Sequence, residues 1–143
     1  MDLLATILLT ILLVVAVVLL HYEALLHSSR LAERLTIPPR TRILVVIAAA
    51  FVAHITEIGL FAAGYFATGR LLGVGALAGH LEGNLVDFFY FSTTMYTTLG
   101  IGDIFATGPM RIMGGIESLT GLVLITWTAS FTYVSMQKFW TDH

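Results

Sequence analysis

One short stretch of the chain joins residue types and spacing that can do chemistry: Thr97-Thr98-Leu99-Gly100-Ile101-Gly102-Asp103. Alternating glycines admit backbone of positive φ, and a chain that alternates this way turns successive carbonyls to one side instead of to opposite sides. The Thr98 hydroxyl extends that row. Four copies around an axis stack into rings of oxygen, the kind of cage that replaces the hydration shell of a cation. Because the ligands of such a cage are backbone atoms from Thr98, Leu99, Gly100, Ile101 and Gly102, the chemistry needs no formal charge. Asp103 follows at the mouth of the row, where a ring of carboxylates concentrates cations.

The remaining candidates lie within apolar stretches. An unpaired ionisable group at membrane depth costs at least about 2.5 kcal/mol, so Glu57 and Glu117 should face protein or water and find partners. Glu117 reads as a brace behind the carbonyl row, bonded to hydroxyls such as Thr94 or Ser92. Its functional reading is pH-dependent gating; the competing reading is a hydrogen-bonded acid that only fixes packing. His54 lies three residues before Glu57 on the same helical face, and the two form a buried polar pair with each other or with the first span. Gly121 lies one helical turn after Glu117 and is either a gating hinge or a packing glycine. His80 and Glu82 are too few for a metal site and read as a solvated loop. His21, Tyr22 and Glu23 read as interface anchors.

These residues must be positioned by elements that suit a bilayer. The 143 residues are 57% hydrophobic and only 11% charged, with a mean hydropathy of +0.91. Seven Lys+Arg against nine Asp+Glu leave no basic excess for nucleic acid, and the absence of cysteine excludes disulfides, thiolate metal sites and thiol nucleophiles. A crossing helix needs about 20 apolar residues. Three stretches qualify: an N-terminal helix over 1–22, an outer helix over 43–69 and an inner helix over 110–138. The first begins Met1-Asp2 without a positive n-region, so it reads as a retained helix and not as a signal peptide. Arg30, Arg34, Arg40 and Arg42 fall in the 23–42 linker, which therefore reads as a cytoplasmic, basic, amphipathic segment ended by Pro38-Pro39. That places the N-terminus outside and the C-terminus, with Lys138, in the cytoplasm. The Gly-rich 71–79 stretch reads as a flexible extracellular turn.

Residues 84–97 predict a short helix capped by Asn84, with Asp87 in its first turn. It is too short to cross the membrane and too apolar to lie in water. A re-entrant half-helix meets both constraints when the backbone that follows is buried in protein or lines an aqueous path.

The run from Phe89 to Ile104 resembles the pore helix and selectivity filter of the potassium channel family, particularly its small prokaryotic two-helix-pore members. That family's filter reads Thr-Val-Gly-Tyr-Gly-Asp, matched here by Thr98, Gly100, Gly102 and Asp103. Leu99 stands for Val, and Ile101 replaces the aromatic residue that braces the filter from behind. The similarity continues through Pro109, Arg111, Glu117 and Gly121. The resemblance implies a homotetramer with a filter at 98–103, in which each chain of a 43–143 pore domain adds one outer helix, one pore loop and one inner helix. It also implies potassium ions as the only bound metal, no other cofactor, and a prokaryotic plasma membrane location. Preference for potassium is expected to persist, with a looser outer filter at Ile101.

The expected fold is thus all-α and integral to the membrane, with three transmembrane helices, a re-entrant pore helix and a selectivity filter. The expected function is a passive, potassium-selective channel. The alternatives are a weakly selective cation channel and a non-conducting, channel-like regulatory subunit; a separate regulatory partner also fits. An enzyme is not expected, since no nucleophile-elbow, zinc-protease or paired-Asp motif occurs. No internal repeat suggests a transporter. No span carries Arg or Lys at every third position, as a voltage sensor would, and only residues 139–143 follow Lys138, so no tethered cytosolic sensor is expected.

Overall fold

A computed structural model describes residues 2–141. Helix α1 covers Asp2–Arg34 and α2 covers Pro39–Phe66, continued by a π-type turn over Ala67–Leu71. A short strand β1 (Leu77–Gly79) precedes the half-helix α3 (Leu85–Tyr96); strand β2 (Ile104–Ala106) then leads into α4 (Met110–Thr141). Leu3–Arg34, Pro39–Leu71 and Met110–Thr141 are each long and apolar enough to cross a membrane.

The first helix does not end at residue 22, and residues 23–34 do not form a separate linker segment. Neither Gly nor Pro occurs before Pro38 to interrupt it. A single buried stripe, Thr6, Thr10, Leu13, Val17, His21, Leu25, Ser28 and Ala32, runs down its whole length at spacings of three and four residues. At about 1.5 Å per residue such a helix runs about 50 Å, well beyond a hydrocarbon core of about 30 Å. Arg30 and Arg34 therefore ride on an extension of α1, and Arg40 and Arg42 on the first turn of α2, not on a free segment. The chain turns at Thr36 to Pro39, where Pro39 opens α2 and the Thr41 hydroxyl donates to the Pro38 carbonyl at 2.7 Å.

Beside this turn, Ala32, Ile43, Val46 and Phe139 pack together, and Lys138 pairs with Glu33. Five of the seven basic residues (Arg30, Arg34, Arg40, Arg42 and Lys138) are thus gathered at one end of the helices. The half-helix α3 lies toward the other end, wedged between α2 and α4. Phe91 meets Tyr65 edge to face at 4.9 Å, and Phe88 meets Phe66 at 5.6 Å.

The glycine-rich turn is more ordered than its composition suggests. Its last residues pair antiparallel with β2, in the register Leu77↔Ala106, Ala78↔Phe105 and Gly79↔Ile104. This ribbon clamps the two ends of the excursion that contains α3 and the carbonyl row. Gly79 sits at φ +107, and a Cβ there would lie 2.0 Å from the Asp103 carbonyl oxygen. Only glycine lets the two backbones approach so closely.

Candidate functional site

The half-helix is held at both ends. At its N-terminus the Asn84 side chain accepts from the Val86 amide at 2.8 Å, as its cap position predicts. The Asp87 carboxylate accepts from the amides of Gly83 at 2.7 Å and Glu82 at 3.2 Å, which fixes the entering loop. At its C-terminus the emerging chain folds back on the last turn: the amides of Thr97, Thr98 and Gly100 donate to the carbonyls of Thr93, Met95 and Thr94 at 3.0–3.1 Å. Carbonyls that a helix end leaves orphaned are satisfied in this way.

Beyond that turn, φ is +60 at Thr98, +54 at Gly100 and +86 at Gly102, whereas Leu99 and Ile101 keep negative φ. This is the alternation that turns successive carbonyls to one side. A β-branched residue at positive φ is a backbone outlier, and strain of that kind gathers at functional sites. Residues 97–103 are all exposed on the single chain, with Leu99 at 65% and Ile101 at 56%. Asp103 is tied to its own chain: its carboxylate accepts from the Tyr90 hydroxyl and from the Ile104 amide, both at 2.9 Å.

Glu117 of α4 is fully buried. It accepts from the Ser92 hydroxyl at 2.5 Å and from the Tyr65 hydroxyl, linking α4 to α3 and to α2. Ser92 also lies 2.8 Å from the Ile58 carbonyl. Thr94 is not a partner of Glu117, contrary to expectation; its hydroxyl donates to the Phe91 carbonyl within its own helix at 2.8 Å. A threonine in a helix readily bonds a carbonyl one turn back, and that local bond wins here. Replacing Tyr65 by phenylalanine leaves one Glu117 oxygen without its donor, and the expected cost is about 1–3 kcal/mol. Thermal unfolding in detergent measures it; an unchanged midpoint would show the bond to be dispensable.

Gly121 sits where α4 crosses the end of α3. A Cβ there would lie 2.0 Å from the Tyr96 carbonyl oxygen and 2.8 Å from its carbon. The helix passes through this position unbroken. Of the two readings of Gly121, the geometry supports close packing.

His54 and Glu57 do pair, at 3.1 Å, but they belong to a larger cluster. His21 of α1 lies 2.9 Å from the other Glu57 oxygen and is fully buried, not an interface anchor. The Tyr96 hydroxyl donates to Glu57, and Thr128 of α4 contacts both histidines. His21 falls on the three-and-four stripe of α1, four residues after Val17, and that periodicity is the signal that marks it as inward-facing. Nothing local marks Tyr65, Tyr96 or Thr128, because each is defined by a partner on another helix. His80 and Glu82 carry exposed side chains, in keeping with a solvated loop.

The model of a family described as an ion channel matches residues 41–138, which include α3, the carbonyl row and both helices that flank them. No curated protein and no solved structure matches the chain.

Proposed function

Since the chain belongs to the ion channel family, we propose that it conducts potassium ions passively as a homotetramer, through backbone carbonyl rings supplied by Thr98 to Gly102. The observation that carries this reading is the exposed run of residues 97–103 with positive φ at every second position. Non-helical backbone at membrane depth is tolerated only inside protein or along water, and one chain covers neither face of this run. One such segment per chain calls for a ring of chains, and closed rotational symmetry supplies it. The C-terminal end of α3 leads directly into the run and brings the negative end of its dipole, which favours cations.

In this arrangement α2 is the outer helix, α4 the inner helix and α1 a further helix packed outside them. The end that gathers Arg30, Arg34, Arg40, Arg42 and Lys138 faces the cytoplasm, and the N-terminus and the Asp103 mouth lie outside. A weakly selective cation channel is the second reading, favoured by the aliphatic, exposed Ile101 where a braced filter has an aromatic ring.

The deciding experiment reconstitutes purified protein in liposomes and measures potassium flux, then the reversal potential between potassium and sodium. Potassium flux with a strongly potassium-shifted reversal potential is the expected result. Equal permeability would replace potassium selectivity by the second reading, and a folded tetramer without flux would make the chain a non-conducting regulatory subunit. Asp103→Asn removes the carboxylate ring and is expected to lower single-channel conductance more at low than at high ionic strength, since salt screens exposed charge beyond about 10 Å at 0.1 M. A conductance loss independent of salt would place the effect of Asp103 in its bond to Tyr90 instead.

A further inference from the structure

The cluster formed by His21, His54 and Glu57 goes beyond what conduction requires. It joins α1 and α2, with one residue each from α3 (Tyr96) and α4 (Thr128), and the ligand atoms of its three residues lie within 4.8 Å of one another. The Nδ1 atoms of both imidazoles face the same carboxylate, at 2.9 Å for His21 and 3.1 Å for His54. The Nε2 atoms of both face one hydroxyl, Thr128 Oγ1, at 3.2 Å and 3.0 Å.

Proton counting exposes a deficit. With both rings neutral, one proton on each ring, one on Thr128 and one on Tyr96 must serve six contacts among His21, His54, Glu57, Tyr96 and Thr128. A hydroxyl oxygen has two acceptor lone pairs, so Thr128 is able to accept from both Nε2–H groups. With the ring protons on Nδ1, both rings donate to Glu57 and the Thr128 proton serves only one of the two Nε2 atoms; with the ring protons on Nε2, both rings donate to Thr128 and both Nδ1 lone pairs face the Glu57 carboxylate with nothing positive between them. A buried arrangement of that kind is costly unless a cation closes it.

We propose that His21, His54 and Glu57 form a binding site for a divalent transition metal ion of the zinc type. Two imidazole nitrogens and a carboxylate are a recurrent zinc donor set, and imidazole ligands suit zinc, cobalt and nickel better than magnesium or calcium. The Tyr96 hydroxyl, 2.8 Å from His54 Nδ1 and bonded to Glu57, occupies the fourth position. Thr128 is the outer partner that fixes both rings, as metal-ligating histidines require. His54 opens the site to a cavity of about 630 Å³ between α2, α3 and α4, which is also lined by Tyr96, Thr97 and Thr128 and supplies a way in. A bound ion staples α1 and α2 to the last residue of α3, one position before Thr97.

The test uses the full chain in detergent, stripped with a chelator and titrated with Zn²⁺ and with Co²⁺ as a spectroscopic probe. To exclude binding by the three other histidines, the background carries His27→Ala, His80→Ala and His143→Ala. One ion per chain and the intense visible bands of tetrahedral cobalt are expected. His54→Ala and Glu57→Gln should abolish both, and Thr128→Val should weaken affinity about 10- to 100-fold while preserving side-chain volume. Because Thr128→Val removes no ligand, it keeps the proposal testable if a ligand variant fails to fold. Absence of stoichiometric binding, weak octahedral cobalt bands, or equal affinity in Glu57→Gln and Thr128→Val would overturn the site. The cluster would then be held by hydrogen bonds alone, with both rings donating from Nδ1 to Glu57. This readout is independent of whether the protein conducts.

Discussion

Replacing Gly100 by alanine is expected to abolish potassium flux while leaving the helices intact. Gly100 lies at φ +54, where a Cβ costs an L-residue roughly 1–2 kcal/mol, a cost that recurs four times in the proposed tetramer. No atom lies within 4 Å of the position a Cβ would take on the single chain, so the substitution does not disturb the packing of α2, α3 and α4. The damage falls on the backbone alternation that aims the carbonyls. Helical content by circular dichroism should be unchanged, and liposome flux should drop to the level of empty vesicles. Gly59→Ala is the matched control: it also meets nothing within 4 Å but sits inside α2, where alanine is favoured by roughly 0.5–1 kcal/mol. Normal flux from the Gly100 variant would remove residues 98–102 from the conduction path.

Gly121→Ala should act in the opposite way, through the fold. Its Cβ would lie 2.0 Å from the Tyr96 carbonyl oxygen. That contact is with backbone at the end of α3, which has no rotamer with which to retreat. Overpacking usually costs about 1–3 kcal/mol, and a collision with fixed backbone belongs at or above the upper end. The expected result is a marked loss of folded protein, with a lower thermal midpoint and broken elution on size exclusion. A hinge role predicts something different: alanine would stiffen α4, leave stability equal or higher, and change only the open probability. Gly115→Ala, six residues earlier in α4 and with nothing within 4 Å, gives the reference for alanine in the same helix. Gly121 and Gly115 have the same residue type in the same element; their difference is entirely one of what stands opposite.

That difference marks the boundary of what a linear reading can reach. The three apolar spans are legible because the bilayer imposes a length and a polarity on each one separately. The short helix after Asn84 is equally legible: its cap, first-turn acid and abrupt glycines are all local signals. The positive φ of Gly100 and Gly102 follows from residue type, and Thr98 joins them through the alternation. Glu57 and Glu117 are recognisable as groups in need of partners, because a charge among apolar residues is conspicuous at any position.

Apart from His54, three residues before Glu57, the partners they find are not encoded nearby. Glu117 takes Tyr65 and Ser92, and passes over the equally near-looking Thr94, because Thr94 has a carbonyl of its own helix within reach. Glu57 draws in His21 from a helix that composition alone assigns to the membrane and its edge. The extension of α1 to Arg34 appears only when the buried stripe is followed past the last apolar residues into the arginines. The ribbon between β1 and β2 joins two three-residue segments too short to show any period, and it is set by the need to close the loop around α3.

Residue type and spacing therefore specify the membrane spans, the half-helix and the glycines that free the backbone after it, since each answers to a local constraint of solvent, capping or φ. The folded arrangement specifies everything that depends on two elements meeting: the room opposite Gly121, the anchoring of Glu117 and the cluster around Glu57. Helix packing brings together side chains far apart in the chain, and a buried polar group takes whichever partner that packing presents.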